Sequence, residues 1–401
     1  MDNIIQINLP ASKSISNRVL ILQYLADADF SLQNISDAND TILLQKCLQD
    51  IKNKTGNIID CEDAGTVFRF LTSALSITKG NWIQTGTKRM QERPIGTLVN
   101  TLRDIGAKIT FLKKEGFPPI QIEGDEIEGG EIHIPSLHSS QFISSLMLIA
   151  PFLPKGLKIH INKKDIPSFP YVEITADVMR HFGLTVYLED SFIEVPHSIP
   201  ESKSFIIEND WSAASYFYES VALQPELKLS LGGLFEKSSQ GDSIISKWFE
   251  ELGVRTTYTN SGVLITGGGE KTTKFEKDFR HCPDLAQTFA VCCAALKIPA
   301  TLSGLSSLRI KETDRLTALY NELNKINIPA VIKDDTLDIP SADFIVKKSV
   351  ETYNDHRMAM AFAPLALLNK NIVINDKEVV RKSFPSFWSE FRKLTNECTI
   401  L

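Results

Sequence analysis

Apolar positions along the chain follow two rhythms. Six stretches, SKSISNRVLILQYL (12–25), DAGTVFRFLTSAL (63–75), SSQFISSLMLIAPFL (139–153), DWSAASYFYESVAL (210–223), PDLAQTFAVCCAAL (283–296) and NDHRMAMAFAPLAL (354–367), each pass from a polar cluster into an apolar run. After the first, their starts recur every 70 to 76 residues, a fixed-period self-similarity that marks a repeat architecture. Because these runs are apolar on nearly every side, they are predicted as buried helices. Three further segments, TLVNTLRDIGAKI (97–109), VEITADVMRHFGLTV (172–186) and SIISKWFEELGVRT (243–256), carry an apolar stripe at helical spacing and then a glycine. Gly106, Gly183 and Gly253 are the expected left-handed C-caps.

The second rhythm is alternation. AKITFL, PIQIEG, GEIHIP, LKIHIN, LTVYLE, SFIEVP, KSFIIE and GVLITG are short, period-two segments bounded by Gly, Pro or Asp, and are predicted as strands. One period reads strand, helix, strand, helix, strand, strand. Six such units predict an α/β protein of sheets packed on helices, three units to a domain, with a boundary near residues 204 to 210.

Composition narrows this picture. A chain of 401 residues, 43% hydrophobic and 23% charged, can bury large cores. Its six cysteines form neither a C-x-x-C pattern nor a secreted framework, so a reducing cytoplasm is expected. No signal sequence or run of about 18 apolar residues is read. A net charge of −6 argues against nucleic-acid and anionic-membrane partners, which are met by broad basic faces. No amphipathic stripe is left over for an interface, and a monomer is expected.

Against that acidic average, the polar clusters at the helix starts hold cations: Lys13 and Arg18, Arg69, then His356 and Arg357. A helix N-terminus already carries about half a positive charge, so capping explains the Ser, Asp and Asn residues there but not the Lys and Arg. Repeating that cost points to an anionic ligand. MQERPIG adds Arg93, LRIKETDRL adds Lys311, Glu312 and Arg315, and VVRKSFPSF adds Lys382. Taken singly, Asp284 after Pro283 reads as a helix cap, and Glu312 with Arg315 as a surface ion pair.

In their order along the chain, SKSISNR, DAGTVFRFL, QERPIG, SSQF, PSFPY, PDLAQT, RIKETDRL, YNDHRMAMAFA and RKSFP resemble the 5-enolpyruvylshikimate-3-phosphate synthase family from end to end. The resemblance implies a two-domain enolpyruvyl transferase-like α/β fold. Each domain has three βαβαββ units with helices inside and sheets outside, an inside-out α/β barrel. Residues 13–208 would form the first domain and 1–12 plus 209–401 the second. It further implies transfer of the enolpyruvyl group of phosphoenolpyruvate to the 5-hydroxyl of shikimate 3-phosphate, with release of phosphate, on the route to chorismate and the aromatic amino acids. No metal or organic cofactor is implied.

By positional matching, shikimate 3-phosphate would be held by Lys13, Ser14, Arg18, Ser139, Ser140, Gln141, Ser168, Tyr171, Asp284 and Lys311. Phosphoenolpyruvate would meet Lys13, Gly65, Arg93, Gln141, Arg315, Arg357 and Lys382. Asp284 would take the hydroxyl proton and Glu312 would protonate carbon, with Lys13 and Lys311 stabilising developing charge and His356 contacting phosphoenolpyruvate or relaying protons. Four positions depart from the family pattern. Asp63, expected to cap its helix, stands for Asn and Ser307 for Asn; Phe169 replaces a cationic residue and Phe70 a Pro. The alternatives are the sister transferase acting on UDP-N-acetylglucosamine, whose Lys-Asn pair and loop Cys are missing here, and a non-catalytic anion-binding relative.

Overall fold

The computed structural model of the chain describes residues 4–134, 139–345 and 349–395. They divide into two compact units. The first runs from Lys13 to Ile207; the second comprises the described residues of 1–12 and 208–401.

The first unit contains α1 (Lys13–Ala26), α2 (Asn39–Asn53), α3 (Gly65–Ser76), α4 (Lys88–Gln91), α5 (Gly96–Asp104), α6 (Ser140–Ile149) and α7 (Pro170–His181). The apolar runs become α1, α3 and α6, and nearly every residue of α3 and α6 is buried. They pack through small polar residues. Ser73 of α3 pairs with Ser145 of α6, whose hydroxyl donates to the Arg69 carbonyl at 2.7 Å. At the helix starts, Gln141 Nε2 donates to Thr66 Oγ1 at 3.1 Å, so α3 and α6 lie side by side with both N-termini at one end. Their hydroxyls find partners inside the helix pair, which lets two backbones approach without stranding a buried donor.

The second unit contains α8 (Trp211–Leu223), α9 (Ile245–Trp248), α10 (Ala286–Ala295), α11 (Arg315–Lys325), α12 (His356–Phe362) and α13 (Phe387–Arg392). Again the apolar runs become buried helices, α8, α10 and α12. Asp210 caps α8 and Asp355 caps α12, each carboxylate accepting a backbone N–H at 2.9 Å. Ser215 of α8 and Thr288 of α10 meet at 3.1 Å.

Among the described residues, four sheets of four strands share one design: a parallel pair packed on a buried helix, with two further strands added antiparallel. Ile58–Asp60 and Gly80–Thr85 flank α3, and Gly130–His133 and Leu157–His160 flank α6. Phe275–Asp278 and Ala300–Ser303 flank α10. In the fourth, Ile5–Ile7 pairs in parallel with Lys228–Gly232 after α8. Strand residues alternate between buried and open, as in Gly80–Thr85, so each sheet lays one face on the helices.

The other two repeats are reduced. Beside α1 only Ser31–Gln33 and Ser204–Ile206 pair, and beside α12 the described pairing is the single bridge Val350 to Ile374. The predicted helix at 243–256 is also shorter. It forms a 3₁₀ turn, Gly241–Ile244, and the four-residue α9, and ends at Trp248. All three glycines are left-handed as expected, Gly106, Gly183 and Gly253 having φ of 106°, 79° and 85°, but Gly253 lies four residues beyond Phe249, the C-cap of the shorter α9. No helix among the described residues is long and apolar enough to cross a membrane.

Among the buried charged residues, Glu219 stands out for its surroundings. Glu219 of α8 is fully buried and neither carboxylate oxygen has a hydrogen-bond partner. Burial, with no cation to offset it, raises its pKa well above the ordinary carboxyl range. Folded, it keeps its proton; unfolded, it loses it above about pH 4.3. Its contribution to stability is therefore complete below that pH and is lost as pH rises toward the folded-state pKa. Glu219→Gln should gain stability relative to the native protein as pH increases from 5 to 7, by up to about 1.4 kcal/mol per pH unit. Urea unfolding of both proteins across that range checks this, and parallel curves would contradict it.

Candidate active site

In the first unit the predicted ligands gather at the starts of α1, α3, α6 and α7. Arg18 is almost wholly buried, and α1 aims its guanidinium across the helix packing. Nε donates to Thr175 Oγ1 at 2.7 Å, Nη1 to the Ser14 carbonyl at 2.7 Å, and Nη2 to Ser144 Oγ and the Tyr171 carbonyl at 3.1 and 2.9 Å. It lies 5.2 Å from the Phe70 ring centroid and 5.9 Å from that of Tyr171. Burial lowers its pKa to about 10, still charged at neutral pH. Arg18 thus ties α1 to α6 and α7, and Phe70, where the family pattern has Pro, supplies a wall beside it.

Lys13 opens α1 and reaches Asp40 of α2 at 2.8 Å. Beside that pair, Thr41 donates to Asn17 Oδ1 at 2.9 Å. Asp40 escaped the sequence reading because it is 27 positions from Lys13 and belongs to no marked motif. Gly65, Arg69 and Arg93 form a second cluster. A Cβ built on Gly65 would lie 2.6 Å from Nη1 of both Arg69 and Arg93, so a larger residue there must push the two guanidinium groups aside. Arg93 is 8% exposed and its Nε has no hydrogen-bond partner.

Asp63 does not cap α3 as expected. The N-cap position falls on Ala64, with no side-chain cap bond. Ser139 does cap α6, accepting from Gln141 N at 3.3 Å, and sets Ser140 and Gln141 in its first turn. Ser168 takes a left-handed backbone, φ 57°, two residues before α7. That turn buries Phe169, over whose ring Lys163 Nζ sits at 4.4 Å, so a cation still lies beside the position where the family pattern has one. Tyr171, in the first turn of α7, offers its carbonyl to Arg18 and Ser144.

In the second unit the predicted residues converge on one guanidinium. Arg315, first residue of α11 and 2% exposed, places Nε 2.6 Å from Asp355, Nη1 2.8 Å from Asp284 and Nη2 2.8 Å from Glu312. Asp284 also meets Arg357 Nη2 at 2.9 Å and Lys311 Nζ at 3.5 Å, and Lys382 lies 3.9 Å from Glu312. The ion pair between Glu312 and Arg315 is therefore real, but buried and shared. Arg357, second residue of α12, approaches the Tyr216 hydroxyl at 3.4 Å. His356 is buried with Nδ1 3.8 Å from Asp355. The hydroxyl oxygen of Ser307 is buried without a partner.

Electrostatics separate the acids. Burial pushes the pKa of Asp284 up, but Arg357, Lys311 and Arg315 together outweigh it and hold Asp284 well below the carboxylate range. Asp242 behaves oppositely. Burial and the nearby Asp284 charge raise its pKa to about 7, against the opposing pull of Arg357 and of its hydrogen bond with Ser212. Burial lowers the Lys311 pKa, with Asp284 pulling it back up, and raises that of Tyr216 to about 12. Asp355, Asp242 and Tyr216 were missed by the sequence reading. Asp355 directly precedes His356 in YNDHRM, where its capping role was the only signal.

Comparison with known proteins follows this geometry. Residues 5–391 match the profile of the family described as EPSP synthase (3-phosphoshikimate 1-carboxyvinyltransferase). The chain is 44% identical over 392 residues to a 3-phosphoshikimate 1-carboxyvinyltransferase of Bacteroides fragilis, covering 96% of this chain and 94% of that one. It is 34% identical over 416 residues to the protein of the same name from Shewanella baltica, covering 97% and 96%. Its fold is similar to that of a solved EPSP synthase from Acinetobacter baumannii, with a TM-score of 0.76 at 20% identity, covering 98% of this chain and 96% of that one. These relatives do not favour the UDP-N-acetylglucosamine alternative. With motifs, fold and relatives in agreement, the chain belongs to the EPSP synthase family of carboxyvinyl transferases.

Proposed function

We propose that this enzyme transfers the enolpyruvyl group of phosphoenolpyruvate to the 5-hydroxyl of shikimate 3-phosphate and releases phosphate. The observation that carries the chemical assignment is the single Arg315 guanidinium bonded to Asp284, Glu312 and Asp355. Two carboxylates tethered to one rigid fork, unequally surrounded by cations, are the arrangement acid–base chemistry requires.

Asp284, held ionised, accepts the proton of the attacking hydroxyl. Glu312 donates a proton to the methylene carbon while the hydroxyl oxygen bonds to the adjacent carbon. In the second half the new methyl group returns a proton to Glu312 and the carbon–oxygen bond to phosphate breaks. The hydroxyl proton on Asp284 then leaves with the phosphate. Lys13 and Lys311 offset charge as it develops, and His356 takes phosphoenolpyruvate contact or proton relay.

Shikimate 3-phosphate is assigned to Lys13, Ser14, Arg18, Ser139, Ser140, Gln141, Ser168, Tyr171, Asp284 and Lys311. Phosphoenolpyruvate is assigned to Lys13, Gly65, Arg93, Gln141, Arg315, Arg357 and Lys382. Arg18, with four donor contacts already made inside the first unit, contributes mainly by fixing Ser14 and Tyr171. Residues 13–208 take the shikimate 3-phosphate side, and 1–12 with 209–401 the phosphoenolpyruvate side. The protein is assigned to the cytoplasm as a monomer, on the five free cysteines among the described residues and on a sequence that leaves no amphipathic stripe for an interface.

Three outcomes test this reading. Phosphate should be released from phosphoenolpyruvate in the presence of shikimate 3-phosphate and not of UDP-N-acetylglucosamine; the opposite preference would overturn the assignment. Glu312→Gln should lower kcat by about two to four powers of ten, the usual span for a proton-transfer group, while shikimate 3-phosphate still binds. Gly65→Ala should displace the Arg69 and Arg93 guanidinium groups. Its KM for phosphoenolpyruvate should rise about tenfold, equivalent to about 1.4 kcal/mol, with a smaller change for shikimate 3-phosphate. Steady-state kinetics with each substrate varied in turn reads this difference.

A further inference from the structure

Directly before the capped start of α12, two successive residues other than glycine are left-handed: Tyr353 and Asn354, with φ of 54° and 55°. The Asp355 amide donates to the Thr352 carbonyl at 2.8 Å, so 352–355 is a tight turn with both central residues at positive φ, as in a type I′ turn. Asn354 suits that geometry. Tyr353 does not, since a bulky side chain at positive φ is a steric outlier. The same turn buries the Thr352 hydroxyl without a hydrogen-bond partner. Backbone of this kind persists only where its surroundings over-determine it.

Here the determining group is Glu322 of α11, 1% exposed. One carboxylate oxygen accepts from the Tyr353 hydroxyl at 2.9 Å and the other from the Glu351 amide at 3.1 Å, while Lys325 donates to both at 3.4 and 3.0 Å. Burial and then Glu322 raise the Tyr353 pKa to about 12, against a hydrogen bond with Asn321, so the phenol stays a donor. Glu322 lies seven positions beyond Arg315, about two turns along the same face of α11. The helix therefore grips the segment on both sides of the turn, through Glu322 before it and through Arg315 Nε, 2.6 Å from Asp355, after it. Asp355 in turn accepts the Arg357 amide at 2.9 Å, so the exit of the turn sets where α12 starts.

We propose, resting on the reading that gives Arg315 and Arg357 to phosphoenolpyruvate, that Glu322 and Tyr353 are positioning residues for that substrate: their hydrogen bond holds the left-handed turn that sets Asp355 between the Arg315 guanidinium and the first turn of α12. Both act through Asp355. Without the phenol the turn relaxes toward ordinary backbone, and Asp355 no longer fixes the two arginines relative to each other. Shikimate 3-phosphate, assigned mostly to residues of the first unit, is affected less.

Tyr353→Phe in the full-length protein keeps the ring and removes one hydrogen bond to a carboxylate. Its KM for phosphoenolpyruvate should rise about tenfold, with kcat and the KM for shikimate 3-phosphate within about twofold of native. Amide hydrogen exchange over residues 351–357, read by mass spectrometry without substrates, should be faster than in the native protein. Glycine is the favoured second central residue of a type I′ turn, so Asn354→Gly alone should leave the kinetics unchanged. Added to Tyr353→Phe, it should recover most of the lost affinity and exchange protection. In a Glu322→Gln background Tyr353→Phe should change little, because the two residues act as a pair. An unchanged KM for phosphoenolpyruvate or unchanged exchange in Tyr353→Phe, or a double variant no better than Tyr353→Phe, would overturn the inference. Either result in an enzyme that natively releases phosphate fails this inference alone; native enzyme that releases no phosphate with shikimate 3-phosphate fails the activity.

Discussion

A buried guanidinium with three carboxylates on its three nitrogens is the constraint around which the second unit is arranged. Removing any one partner would leave a charge stranded in a medium that solvates it poorly, which costs far more than a surface ion pair returns. Arg315 therefore fixes where α11 begins, where α12 is capped and where the turn before α10 ends, since Asp355 and Asp284 come from those elements. Fold and chemistry share the same atoms.

The first unit handles positive charge differently. Arg18 is buried among hydroxyls and carbonyls, with aromatic rings beside it, and burial weakens its hold on its proton. Arg69 and Arg93 crowd over Gly65, where one added carbon would displace both. Here neutral dipoles orient Arg18 and one carboxylate, Asp40, meets Lys13, whereas in the second unit three carboxylates meet one guanidinium.

Local patterns in the sequence gave a good account of local structure. The six polar-to-apolar transitions are six buried helices, and three glycines at the ends of apolar stripes are left-handed, because helix burial and helix ending depend on neighbours within a few positions. What escaped were contacts between distant segments. Asp40 meets Lys13 across 27 positions, and Asp355 meets Arg315 across 40. Asp242 was invisible for a related reason. It meets Ser212 across 30 positions. The repeat also overstated its own regularity, since strand pairing needs a partner at the right place and two repeats have little.

The pairing of Ile5–Ile7 with Leu229–Leu231 has a consequence for the order of events on the ribosome. These strands are 224 positions apart, and the whole first unit is encoded between them. At about 5 to 20 residues per second, the leading strand waits on the order of 10 to 40 seconds for its neighbour to be made. During that interval it is an unpaired, partly apolar edge, while the intervening unit has everything needed to fold. Nascent chains stalled before residue 228 should thus hold a finished inner unit and a loose leader, and the leader is the segment for a chaperone to shield.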